Sequence, residues 1–269
     1  MLVVDVGANV GEFSLDILRN SQVTKVIAIE PNLNLVNNEL QSIVEKYSAR
    51  FKVINKAITR HEGNVKLFSS GINNGQLASL FQINKEANWN PYIKNKIEMQ
   101  TMNDFQVVES ISVTNLIKQN RIKEVDFLKI DTQGSDLEIL EDFLKCIDIK
   151  VAVVEVDVGQ SSYLGSRNSI QDLFKIISEN EYKCISIFPN NSNLTEYNVF
   201  IGRDFVEAIS IIKNLEIYKN RIFSKFQKVE GVGVSLNEKE LLSTLINKIL
   251  IGLKHPVKSF LSVIYKIVR

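Results

Sequence analysis

The chain opens with Leu2-Val3-Val4-Asp5-Val6-Gly7-Ala8-Asn9-Val10-Gly11-Glu12-Phe13. An apolar run this rich in valine reads as a strand buried on both faces. It breaks into small residues, where Gly7, Asn9 and Gly11 let the backbone turn tightly and approach a ligand closely. Helical apolar spacing then resumes from Glu12 to Leu18. Strand, glycine turn and helix in this order open nucleotide-binding α/β folds. The next apolar run, Val26-Ile27-Ala28-Ile29, ends in Glu30, about twenty residues beyond the turn, where such folds place the carboxylate that accepts both ribose hydroxyls.

The turn also discriminates between ligands. A dinucleotide site uses Gly-x-Gly-x-x-Gly to bring a helix N-terminus to a pyrophosphate, whereas this chain has Asp5-x-Gly7-x-Asn9-x-Gly11. A carboxylate at Asp5 repels a pyrophosphate and suits an ammonium group. S-adenosylmethionine offers an amino-acid end, a ribose and a sulfonium cation. At this point the sequence resembles the class I S-adenosylmethionine-dependent methyltransferases, whose first motif is an acidic, glycine-rich turn and whose second ends in an acid on the next strand. The resemblance implies a Rossmann-like α/β fold, with a mostly parallel seven-stranded sheet and an antiparallel edge. Phe51 to Ile58 reads as the third strand, ending beside the first at the edge where an adenine ring would lie. There, Asn55 or the Ala57 backbone could bond the ring, or the segment could be an ordinary strand end.

Between the second and third strands, Pro31 suits the first turn of a helix that runs to about residue 48. Val65–Phe68 and Ala78–Phe81, separated by Gly71-Ile72-Asn73-Asn74-Gly75, suggest a hairpin. Asn88-Trp89-Asn90-Pro91-Tyr92 reads as a lid over an acceptor site or as a surface loop without a role. His61 is a candidate base, with a solvated loop histidine as the plainer alternative. Gln106 to Val113 is a further strand, and Thr114 is placed to cap the helix after it.

The second informative stretch is Val125-Asp126-Phe127-Leu128-Lys129-Ile130-Asp131-Thr132-Gln133-Gly134-Ser135-Asp136: a strand ending in an acid, a glycine turn and a new helix with Leu137, Leu140 and Leu144 on one face. Here the resemblance sharpens to the FkbM family of methyltransferases, which shows a strand ending Lys-Ile-Asp, then a variable pair, Gly, a small residue and Glu. Residues 129–135 match, and Asp136 stands where the family has Glu, one methylene shorter. Val151 to Asp157 is a further buried strand carrying acids at its end, as in the family. Asn168 or Ser169 caps a helix, and Tyr182–Phe188 with Tyr197–Gly202 forms the close pair expected at the antiparallel edge. The resemblance covers residues 2–202, so a methyltransferase domain at 1–203 and a helical extension at 204–269 are expected.

FkbM relatives methylate mostly hydroxyl groups on sugars and natural-product scaffolds, so the resemblance implies an O-methyltransferase with a glycan or secondary-metabolite acceptor. Methyl transfer to it is an in-line displacement that needs alignment of two substrates and removal of the hydroxyl proton. Asp131 is the first choice as base, with Glu155 and Asp157 on the next strand as second choices, and Asp131 as a turn cap is the alternative. Cofactor binding is expected from Asp5, Gly7, Asn9, Gly11, Glu30, Asn55 and Ala57. Nothing in the spacing establishes a metal site. An NAD-dependent sugar dehydrogenase or epimerase shares the opening and Glu30, but Asp5 and the missing third glycine argue against it. A catalytically silent methyltransferase fold acting as a binding partner is the remaining alternative, and the intact turn, Glu30 and Asp131 speak against it.

A net charge of +1 over 269 residues exerts no general pull toward nucleic acid. With no leader-like N-terminus and no apolar stretch long enough to span a bilayer, a reducing cytoplasm is the default compartment. Its two cysteines, Cys146 and Cys184, read as small core residues. The segment 237–269 has no acid after Glu240 but carries Lys248, Lys254, Lys258, Lys266 and Arg269. Its amphipathic helices can lie on an anionic membrane surface, or dock on their own core or a second subunit.

Overall fold

The computed structural model describes residues 1–69, 78–84, 87, 105–159, 161–190 and 196–217. The chain divides into two units, Met1–Gln227 and Lys228–Arg269, and every described residue belongs to the first. The Gly71–Gly75 turn, the Asn88–Tyr92 stretch and the helices expected over 237–269 lie outside the described residues.

The seven-stranded sheet expected from the sequence is present. Its strands are β1 (Leu2–Val6), β2 (Lys25–Ile29), β3 (Phe51–Ile54), β7 (Val125–Ile130), β8 (Ile149–Asp157), β9 (Lys183–Pro189) and β10 (Glu196–Gly202), in the order β3-β2-β1-β7-β8-β10-β9. From β3 to β8 all neighbours are parallel, and β10 runs antiparallel between β8 and the edge strand β9. The central strands are apolar on both sides because helices cover both faces; in β7 every residue is buried. Parallel register sets Asp5 beside Lys129 and brings the C-terminal ends of β1, β2 and β7 to one edge of the sheet. Ligands of open α/β sheets bind at that edge.

The covering helices are α1 (Glu12–Leu18), α2 (Leu33–Leu35) continuing through a π-turn (Val36–Leu40) into α3 (Gln41–Lys46), α4 (Val113–Asn120), α5 (Asp136–Cys146), α6 (Ile170–Glu179) and α7 (Phe205–Asn214). Helix α5 buries Leu137, Leu140 and Leu144, the face its spacing predicts. Phe13 of α1 stacks on Phe127 of β7, which packs on Phe200 of β10. Helix α7 turns Ala208 and Ile211 into the same core. Among the described residues no helix is long and apolar enough to cross a membrane.

Several local expectations are corrected. The strand foreseen over Phe51–Ile58 is two: β3 stays in the main sheet beside β2, not beside β1, and β4 (Ala57–Ile58) joins β5 (Gly63–Phe68) and β6 (Phe105–Ile111) in a second sheet of order β4-β6-β5. Val65–Phe68 lies in β5, whose partner is β6. Ala78–Phe81 contributes only a bridge between Ser79 and Phe68. The distant strand wins because it offers an unbroken antiparallel register from Gly63–Ser110 to Phe68–Phe105. Ser112, not Thr114, caps α4 by accepting from the Asn115 N–H, and Asn32, not Pro31, opens α2. Of Asn168 and Ser169, the serine caps α6. Cys146 is exposed at the end of α5, whereas Cys184 is half-buried, its thiol pushed up to about 12 by burial.

Candidate active site

The β1 turn is held by backbone geometry that only small residues permit. Gly7 has φ 77°, and a Cβ there would stand 1.9 Å from the Asp131 carbonyl oxygen, so the turns after β1 and β7 touch directly. Gly11, at φ 79°, lies against Leu40 and Ile43, where a Cβ would approach within 2.6 Å and 2.5 Å. Asn9 also takes a left-handed φ of 52°, a conformation asparagine tolerates better than most side chains. The Gly7 and Ala8 N–H groups both donate to the Ile29 carbonyl, tying the turn to the end of β2.

Glu30 is buried just past that end. Its Oε2 accepts from the Asn9 N–H at 2.8 Å and its Oε1 from the Asn32 N–H at 2.9 Å. Burial pushes its carboxyl up to about 6, although those two hydrogen bonds favour the anion. Asn55 donates its side-chain amide to the Glu30 and Pro31 carbonyls at 2.8 and 3.0 Å. Thus Asn55 braces the loop that carries Glu30, while Ala57 lies on the cavity wall.

That cavity, of about 260 Å³, is bounded by the β1 turn, Glu30 and the β7 turn, with Pro31, Ala57 and Ile139 among its apolar walls. Two buried oxygens on residues of this wall, Asn9 Oδ1 and Thr132 Oγ1, have no hydrogen-bond partner among the described residues. Such atoms are costly in an empty protein and are what a bound polar ligand satisfies.

Asp5 does not reach the wall. It is wholly buried, accepts from Ser14 Oγ at 2.6 Å, and stands 3.6 Å from the ammonium of Lys129. Burial raises its carboxyl, with Lys129 opposing. The ammonium expected for Asp5 is thus found within the protein itself. Lys129 Nζ also lies 3.2 Å from Asp131 Oδ2. Burial alone pulls such an ammonium down, but Asp131 and Asp5 more than reverse this and keep Lys129 charged. The sequence motif contains Lys129 but sequence reasoning gave it no role; strand alternation, which puts it on the same side as Asp131, is the signal for that pairing, whereas its pairing with Asp5 needs the β1–β7 register.

Asp131 faces the cavity with its side chain 35% exposed. Lys129 holds Oδ2, and the Gln133 amide donates to Oδ1 at 2.9 Å. The turn beyond is capped by a different acid. Asp136 accepts from the Thr132 N–H on Oδ1 and from the Gly134 N–H on Oδ2, both at 2.9 Å. Burial, reinforced by the charge of Asp131, pushes its carboxyl up to about 6. Asp136, in the position of the family's Glu, therefore shapes the turn, and Asp131 is spared that task.

Neither Glu155 nor Asp157 is on the cavity wall, and Glu155 meets this turn through Gln133. The Gln133 amide lies 3.4 Å from Glu155 Oε1, and Asn190 donates to Oε2. Burial raises Glu155 well above the usual carboxylate range, and Asp131 adds to the rise. Asp157 accepts from Ser161 and Ser162 at 3.1 and 3.2 Å, its carboxyl also raised by burial. Sequence reasoning missed the clamp on Gln133, which has a left-handed φ of 58°. Tyr163 donates to its Oε1 at 2.6 Å and Ser79 to its carbonyl at 2.5 Å. His61 lies away from the cavity, where its carbonyl accepts from Thr59. No group of His, Cys, Asp and Glu placed to hold a metal occurs among the described residues.

The methyltransferase FkbM domain family matches residues 5–184, a span that contains both turns, Glu30, Lys129 and Asp131. This chain belongs to the FkbM methyltransferase family. Its fold is the Rossmann-like class I methyltransferase fold, and the cofactor of the family is S-adenosylmethionine. The residues present fit that cofactor: the buried carboxylate of Glu30, the apolar wall of Pro31, Ala57 and Ile139, and two buried oxygens without a partner among the described residues. Comparison with curated proteins finds none that matches. Among solved structures, the chain is similar to magnesium protoporphyrin IX methyltransferase from Synechocystis PCC 6803 with bound SAM, at 11% identity and TM-score 0.41, over 76% of this chain and 70% of that one. It is also similar to TrmK of M. capricolum in complex with S-adenosyl-homocysteine, at 14% identity and TM-score 0.38, over 93% and 88% of the two chains.

Proposed function

We propose that this FkbM methyltransferase transfers a methyl group to a hydroxyl of a glycan or secondary metabolite, with Asp131 as the base. The observation that carries this reading is the state of Asp131: a partly exposed carboxylate, fixed by Lys129 and Gln133, facing the cavity while Asp136 satisfies the turn. When bound, S-adenosylmethionine supplies an electrophilic methyl group on a sulfonium. Glu30 binds the ribose hydroxyls, and the tight turn at Gly7, Asn9 and Gly11 lets the cofactor lie against the backbone. Ala57 flanks the base, and Asn55 supports the Glu30 loop. Asp5 acts through Lys129, whose charge keeps Asp131 oriented. Asp131 accepts the acceptor's proton as its oxygen attacks, Glu155 supports the turn through Gln133, and Asp157 holds the Ser161–Ser162 segment.

The test is incubation of the protein with methyl-labelled S-adenosylmethionine and a panel of sugars, glycans and hydroxylated small molecules, with Asp131→Asn run alongside. Label recovered as a methyl ether with the native protein, and lost with the variant, supports the assignment. Label recovered on nitrogen, or equal rates for both proteins, contradicts it.

A further inference from the structure

Thr132 follows Asp131 on the cavity wall. Its backbone is held by the Thr132 N–H donating to Asp136 Oδ1 at 2.9 Å. Its hydroxyl is shielded from solvent and has no hydrogen-bond partner among the described residues. Valine has the same shape and would avoid the cost of an unpaired buried hydroxyl, so in the empty protein threonine is the poorer choice at this position. One rotamer step about the Cα–Cβ bond re-aims the hydroxyl, bringing it to the place of the methyl or of the β-hydrogen, without moving the backbone. Either as donor or as acceptor, the turned hydroxyl can meet a polar atom in the cavity.

We propose that Thr132 is a cofactor-binding residue whose hydroxyl, without a partner among the described residues, hydrogen-bonds S-adenosylmethionine in the cavity between the two turns. This rests on the cavity being the cofactor site. It assigns a cost in the empty protein to a gain in the loaded one. Asn9 Oδ1, the other unpaired oxygen on the wall, obeys the same logic from the β1 turn.

The test uses the full chain, titration calorimetry with S-adenosylhomocysteine, and thermal melting without ligand, on Thr132→Val, Thr132→Ser and Thr132→Ala. Thr132→Val is expected to bind about 3- to 10-fold more weakly, the worth of one hydrogen bond, while its ligand-free melting temperature stays equal or rises. Thr132→Ser, which keeps the hydroxyl, should bind within about 2-fold of the native chain. Thr132→Ala is a second route to the same loss should the valine not be accommodated. Native affinity in the hydroxyl-free variants overturns the proposal while leaving the cavity's assignment intact. Absence of binding by the native chain overturns the cavity's assignment and this proposal with it.

Discussion

The turn after β1 and the turn after β7 are both built around glycine, end parallel strands of one sheet, and touch where Gly7 meets the Asp131 carbonyl. Their polar groups are satisfied in different ways. At the β1 turn the carboxylate of Glu30 holds two backbone N–H groups, and the neighbouring Asn9 Oδ1 has no partner among the described residues. At the β7 turn Asp136 takes the Thr132 and Gly134 N–H groups, while Ser79 and Ser166 donate to the Gln133 and Gly134 carbonyls. Asp136 and the two serines satisfy the backbone of the second turn, while each turn keeps one side-chain oxygen, Asn9 Oδ1 or Thr132 Oγ1, without a partner among the described residues. The difference teaches why Asp131 can serve chemistry: its turn does not need it.

The largest effect should come where the turns meet. Gly7→Ala places a Cβ on a backbone oxygen at a left-handed φ, so neither partner can yield cheaply. We expect a loss of stability of about 3 kcal/mol or more in urea unfolding, and loss of S-adenosylhomocysteine binding in calorimetry. Retained binding would mean the turns can part, and would break the comparison at its contact point. Asp131→Asn should lower methyl transfer about 10²- to 10⁴-fold in the labelled assay, because the amide cannot take the proton.

At the closed turn, Asp136→Ala leaves two buried N–H groups unpaired. It should cost about 2–4 kcal/mol of folding stability by urea titration, with the loss showing in the ligand-free protein. A cost below about 0.5 kcal/mol would show that water replaces the carboxylate and that this turn is as open as the other.

A smaller effect tests Glu30 by pH. Burial pushes its carboxyl up to about 6, and in the proposed role it accepts from the ribose hydroxyls as the anion, so protonation should compete with the ligand. Affinity for S-adenosylhomocysteine should be level from pH 7 to 8 and fall toward about tenfold per unit below 6. Stability of the empty protein moves the other way. For Glu30 and Asp136 the folded value of about 6 lies above the ordinary 4.5 and 3.8, so the folded chain holds protons that the unfolded chain has released. Their contribution is fully present below those ordinary values and is lost as pH rises through about 6. Calorimetry and melting at pH 5, 6, 7 and 8 check both signs.

What the sequence made legible was local. The strand, glycine turn and helix at Leu2–Leu18 and the acid at Glu30 follow from spacing along one segment, and so does Asp131 at the end of its strand. What it hid was non-local or depended on which of several acids does which job. Lys129 answers Asp5 only because β1 and β7 lie side by side in register, which no local pattern records. The break between β3 and β4 depends on Asn55 bonding backward to Glu30 and Pro31. The turn-capping role open to Asp131 falls instead to Asp136, because its side chain reaches both the Thr132 and Gly134 N–H groups.

The division of labour between the turns is tested most directly by titrating Glu30→Gln and Asp131→Asn side by side with S-adenosylhomocysteine at pH 7.5. Glu30→Gln should bind about 10-fold or more weakly, losing a charged acceptor for the ribose, and Asp131→Asn should stay within about 3-fold of the native chain. Equal losses in the two variants, or a loss confined to Asp131→Asn, would contradict it.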